Sequence, residues 1–161
     1  LSTRNIIKIA IYAGIYIALT LIFSPISYGP IQFRISEFLA VFPYLDPTAI
    51  PGLFLGCFIA NIFSPAGWID VFFGSICTLI AGYLTHKMPK IQLAPIPPII
   101  INSLGVSLYL HIFFKLPYLL NVLYIALGEG AVTYLIGLPI LIYIDKNPYI
   151  KDKILRVGVR L

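Results

Sequence analysis

The segment SYGPIQFRISEF, Ser27 to Phe38, places Arg34 and Glu37 in a stretch otherwise nearly free of charge. They stand three residues apart, so in a helix they share a face and can pair. Desolvating either charge is costly, so in apolar surroundings each needs a partner, a ligand or the other. Gln32 precedes Arg34 by two residues, and Tyr28-Gly29-Pro30 reads as a tight turn that can present backbone groups. Two readings stand: a salt bridge locking the head of a helix, and a strip of donors and acceptors for a polar ligand.

Further polar residues punctuate the apolar runs. Asn61 closes one run, and Trp68 and Asp70 open the next. Trp68 suits an interfacial belt or a flat stacking surface for a planar ligand. Asp70 suits a helix N-cap or a ligand contact. Glu129, in ALGEGAVTYLIG, lies near the middle of the last run with a glycine on each side, and a carboxylate at that depth marks a functional site. Asn102 and Ser103 suit either ligand binding or interhelical hydrogen bonding, the latter being favoured, and His86 and His111, near run ends, read as interfacial residues. Cys57 and Cys77 lack CxxC or His-ligand spacing and read as packing residues, so no metal or other cofactor is expected. There is no P-loop, GxSxG or HExxH, so the chain is not expected to be an enzyme or to hydrolyse ATP by itself.

The elements that must position these groups are membrane helices. Of the 161 residues, 60% are hydrophobic and only 11% charged, and the mean hydropathy is +0.97. That composition excludes an ordinary soluble domain. Splitting at Pro, Gly and charge predicts an all-α membrane protein of one domain with six transmembrane helices, over about residues 5–23, 31–43, 48–63, 68–86, 95–114 and 118–144. The first run, Ile6 to Phe23, has spanning length and reads as a retained helix rather than a cleaved signal. The second is too short to cross roughly 30 Å of hydrocarbon as a straight helix. It must tilt, or irregular backbone must sit at membrane depth, which is tolerated only inside protein or against a wet cavity.

Orientation follows from the basic residues. With six spans, nine of the eleven Lys and Arg fall on the side of the two termini, and Arg34 and Lys115 on the other. Both termini are therefore expected in the cytoplasm. The tail at 145–161 reads as a basic membrane-surface anchor rather than a nucleic-acid site. The loops with the conspicuous polar residues then face outward, and so should the pocket. Ala10, Gly14 and Ala18 recur every four residues and form a small-residue stripe on the first helix. The stripe serves packing inside the bundle or close approach of a partner helix.

YGPIQFRISEFL, IPGLFLGCFIAN and DVFFGSICTLIAGYL together resemble the queuosine-precursor transporter (QueT) family, the substrate-binding S components of energy-coupling factor (ECF) transporters. The resemblance runs from about Ala10 to Asp145. Its most specific parts are GPIQFRISE and the G-x-x-x-G-x-x-x-A-N run from Gly52 to Asn61. It implies a multi-pass protein of the bacterial plasma membrane, six helices with an outward-facing pocket, and a 7-deazaguanine queuosine precursor as ligand. The implied partners are a transmembrane T subunit and two ATPase subunits. The resemblance also implies that Ala10, Gly14 and Ala18 meet the T subunit, with glycine here where the usual motif has alanine. A guanine-like edge offers adjacent N–H donors to a carboxylate and a carbonyl to an Arg or Gln. Gln32, Arg34, Glu37, Asn61, Trp68, Asp70 and Glu129 are the candidate binding residues. Other readings stay open: an S component for another vitamin-like metabolite, a stand-alone proton-coupled carrier using Glu129, and an intramembrane enzyme.

Overall fold

The computed structural model describes residues 2–29 and 33–151, and these form helices and connecting turns without a strand. Helix α1 (Thr3–Ile22) starts at an N-cap, Ser2, whose hydroxyl accepts from the Asn5 amide at 3.3 Å. After the short α2 (Ser24–Ser27) and an extended stretch, Ile35–Tyr44 forms a 3₁₀ helix, followed by α3 (Ala49–Asn61). A π-helical turn, Asp70–Gly74, runs directly into α4 (Ser75–His86). Next come α5 (Ile96–Phe114), with two prolines in its first turn, and α6 (Tyr118–Val132). A second π-helical turn, Thr133–Gly137, joins α6 to α7 (Leu138–Lys146), and α8 (Pro148–Ile150) is a single turn beyond it.

Among the described residues, three stretches are long and apolar enough to cross a membrane: Thr3–Ile22, Ile91–Phe114 and Tyr118–Lys146. Helices also occupy the other three expected positions, but each is shorter. Burial runs opposite to that of a soluble protein. Ile22, Leu119 and Leu135 are at least 70% exposed, while Arg34, Glu37, Asp70 and Glu129 are at most 8% exposed. Such a surface suits hydrocarbon, and such an interior suits a polar site.

The second expected span differs most from an α-helix. Its ten residues are 3₁₀-helical, with Pro43 inside, and at about 2.0 Å per residue they reach further than an α-helix of the same length. Phe33 and Arg34 before it are not helical. Arg34 has extended backbone, φ −88° and ψ 104°, so it does not share a helix face with Glu37, and the direct pair between them is not formed.

Close approach of α1 and α3 forms the core of one half of the bundle. A Cβ placed on Gly52 would lie 2.6 Å from Tyr12 Cβ, and one on Gly56 2.8 Å from Tyr16 Cβ. Glycine at both positions therefore lets the two tyrosines lie on α3, where they pack with Leu39, Phe42 and Leu53. The other half has a smaller apolar cluster of Val106, Tyr109 and Ile125. At the end carrying the N-terminus, Lys8 Nζ meets Asp46 Oδ2 at 2.9 Å, and Asp46 Oδ1 also accepts from the Thr48 amide and hydroxyl.

Candidate functional site

Elements from α1 to α6 bring the polar groups together. The Arg34 guanidinium donates from Nη2 to Asp70 Oδ2 at 3.2 Å and from Nε to the Ser27 carbonyl at 3.4 Å. It also lies 5.2 Å from the centre of the Tyr28 ring, a cation–π distance. The Tyr109 hydroxyl donates to the other Asp70 oxygen, so both carboxylate oxygens are occupied. Asn61 Nδ2 donates to the Asp70 carbonyl at 3.0 Å and approaches Cys57 Sγ at 3.3 Å. The π-helical turn gives this geometry its tightness. A Cβ on Gly74 would stand 2.8 Å from Asp70 Oδ1 and 2.9 Å from Asn61 Nδ2.

Two further carboxyl groups have only one neutral donor each. The Tyr16 hydroxyl, fully buried on α1, donates to Glu37 Oε1, and Glu37 Oε2 has no hydrogen-bond partner. Asn102 Nδ2 on α5 donates to Glu129 Oε1, and Asn102 Oδ1 is likewise buried and unpartnered. Arg34, Glu37, Asn102 and Glu129 line one cavity of about 20 Å³, closed on its other sides by Thr78, Val106 and Ile125. That volume holds about one water-sized group.

Ile125 also lines a second, much larger chamber of about 630 Å³, the size of small-molecule sites in general. Its walls include Tyr28, Asp70, Phe114, Asn121 and Tyr124, together with the 64–66 segment. The polar cavity and the chamber thus meet at Ile125 and on either side of the Arg34–Asp70 bridge.

Of the residues singled out from sequence, Arg34, Glu37 and Glu129 meet at the inner cavity and Asp70 stands at the chamber wall. Asn61 is fully buried behind Asp70 and lines neither space. Asp70 does not cap a helix, since its side chain accepts from Arg34 and Tyr109. Trp68 is 68% exposed, set against Phe72 and outside both linings. Helical neighbours two apart point in different directions, so burying Asp70 turns Trp68 outward. Gln32, Pro30 of the expected turn, and residues 152–161 of the basic tail lie outside the described residues.

Sequence reasoning passed over Tyr16, Tyr109 and Asn121, and favoured an interhelical hydrogen bond over ligand binding for Asn102. A signal existed: Asn102, Val106 and Tyr109 recur at helical spacing, as do Asn121, Ile125 and Glu129. Each set forms one inward face. Ala10, Gly14 and Ala18 are all exposed, and a Cβ on Gly14 would meet nothing within 4 Å. The stripe is not used in packing the described bundle.

Known proteins agree with the resemblance read from the motifs. The family model described as QueT transporter matches residues 6–146. The queuosine precursor transporter QueT of Lactococcus lactis subsp. cremoris (strain MG1363) is 42% identical over 80 residues, covering 48% of this chain and 47% of that protein. The similarity therefore spans about half the length of this curated relative. No solved structure matches the chain. With residues 6–146 of its 161 matched, this membrane protein belongs to the QueT transporter family.

Proposed function

We propose that the chain is the substrate-binding membrane subunit of an ECF-type importer that takes up a 7-deazaguanine queuosine precursor. The observation that carries the reading is the inner cavity. It is rich in acceptors, two of its lining residues keep a buried oxygen without a donor, and it has room for one small polar group. The exocyclic amine of a guanine-like base has that size and supplies donors, and its adjacent ring N–H extends the same edge. Arg34, beside this cavity, is the donor for the ring carbonyl. The rest of the bicycle lies in the chamber against Tyr28, Tyr124 and Ile125.

In this reading the bundle crosses the membrane six times, with both ends cytoplasmic and the chamber open to the outside. The tilted crossing through the 3₁₀ helix puts irregular backbone against the polar site, where it is tolerated. Energy comes from partners, a T subunit and two ATPases. The exposed Ala10–Gly14–Ala18 stripe supports close approach of a helix from the T subunit.

Calorimetry on the purified chain in detergent tests the binding role. A 7-deazaguanine base should bind without ATP or any partner. If none of 7-cyano-7-deazaguanine, 7-aminomethyl-7-deazaguanine and queuine binds while an unrelated vitamin does, the substrate assignment is wrong.

A further inference from the structure

We infer that the chamber selects among 7-deazaguanine bases by the charge of the 7-substituent, favouring a neutral hydrogen-bond acceptor over an ammonium, with Asn121 as the residue that reads it. The inference rests on the reading that the amine edge of the base enters the inner cavity. With that edge inward, the five-membered ring and its 7-substituent point away into the 630 Å³ chamber.

Among the described residues, the chamber offers an ammonium no free carboxylate. Its one charged lining residue among those described is Asp70, whose two oxygens are already taken by Arg34 and Tyr109. The remaining walls are aromatic and aliphatic residues with a few neutral polar groups. Lys115, exposed in a left-handed turn at φ 59° between the lining residues Phe114 and Leu116, does not itself line the chamber. Glu37 and Glu129 face the opposite end of the base, beyond Ile125. An ammonium moved from water against such a wall is desolvated without an ionic partner.

A neutral acceptor does find a partner there. Asn121 lines the chamber, and its Nδ2 is buried with no hydrogen-bond partner. It stands one helical turn from Ile125 and two turns from Glu129, so a single face of α6 places the substituent, the ring and the amine edge in order. A nitrile accepts from an amide N–H and carries no charge.

Three bases separate charge from size. 7-Cyano-7-deazaguanine is neutral, 7-aminomethyl-7-deazaguanine is charged and of similar size, and queuine is charged and larger. In competition binding to the wild-type protein at neutral pH, the nitrile should bind at least tenfold more tightly than either amine. A primary amine with a pKa of about 10.4 could enter as its neutral form, which caps the discrimination at roughly a thousandfold. A gap below tenfold against either amine overturns the inference while leaving the proposed function intact. If no base binds, both fail. Asn121→Asp puts a carboxylate where the ammonium would stand, and it should shrink or reverse the gap. An unchanged gap in a folded Asn121→Asp protein overturns the role of Asn121, and the wild-type series alone decides the selectivity if that variant does not fold.

Discussion

Two glycines on opposite sides of one packing question make the sharpest test of how α1 is used. Gly14 is exposed, and a Cβ built there meets no atom within 4 Å. Gly14→Leu therefore adds a side chain directed out of the bundle, displacing nothing inside. Removing a mid-helix glycine should even help the helix, by up to about 1 kcal/mol. Gly56 on α3 is the contrast. Its Cβ would lie 2.8 Å from Tyr16 Cβ and 3.1 Å from both Cα and O of Ala13. These atoms belong to the α1 backbone or are fixed to it, and comfortable carbon contacts need roughly 3.5–4.0 Å. The two helices must separate by several tenths of an ångström or more, at an overpacking cost of about 1–3 kcal/mol.

Gly56→Ala should accordingly lower the unfolding temperature and weaken ligand binding, because the displaced Tyr16 is the donor to Glu37. Gly14→Leu should leave both near wild type. In proteoliposomes carrying the proposed T subunit and ATPases, however, it should abolish ATP-driven uptake and co-purification with that T subunit. A leucine there would hold an apposed helix away, and lipid provides little hydrophobic drive to restore the contact. Should Gly14→Leu lose ligand binding in step with transport, the stripe acts inside this chain. Wild-type uptake by the same variant would remove the stripe from the partner interface altogether.

Other outcomes follow from the polar core. Glu37→Gln should weaken base binding by about 1–3 kcal/mol in calorimetry, with folding preserved because a Gln oxygen still accepts from Tyr16. Asp70→Asn breaks a buried ion pair with both partners under 10% exposed, and should cost about 3–5 kcal/mol in unfolding measurements. An equally stable variant would show that the bridge does not hold the π-turn against Arg34. Glu129→Leu alone strands the Asn102 amide at a cost of about 1–3 kcal/mol, whereas the Asn102→Leu/Glu129→Leu pair should be close to neutral in stability and still lose ligand binding. A double variant destabilised by the sum of the two single variants would mean that the two residues are not energetically coupled.

Helices were legible where an apolar run ends at Pro, Gly or charge: α1, α5 and α6–α7 begin and end within about two residues of the sequence reading. Conformation inside a run was less so. Nothing in ISEFLAVFPY distinguishes a 3₁₀ helix from an α-helix, since packing against neighbouring helices decides it. The Arg34 pairing failed for a related reason. The i,i+3 rule presumes a helix beginning before Arg34, but its partner is Asp70, thirty-six residues on, brought near by a π-turn that hydropathy does not signal. Tyr16 and Tyr109 were hidden by residue type. Their rings belong to apolar runs, and only the fold shows that their hydroxyls end on carboxylates.

The buried charges also explain why so apolar a chain keeps them. Arg34 and Asp70 neutralise one another and both Asp70 oxygens are hydrogen-bonded, so that pair resembles a structural clamp. Glu37 and Glu129 do not fit that description, because each receives one neutral donor where a carboxylate can accept several. An apolar side chain of similar volume would serve the bundle at least as well, since buried ionic groups often lose to well-packed hydrophobic ones. Incomplete hydrogen bonding in the empty protein becomes affinity once a ligand brings the missing donors, because the ligand then forms charge-assisted bonds without the protein surrendering equivalent ones. The same logic accounts for the separation of roles around the site. The clamp fixes α4 to the start of the 3₁₀ helix, and in the proposed function the undersupplied carboxyl groups, held by α1 and α5, receive the donor edge of the base.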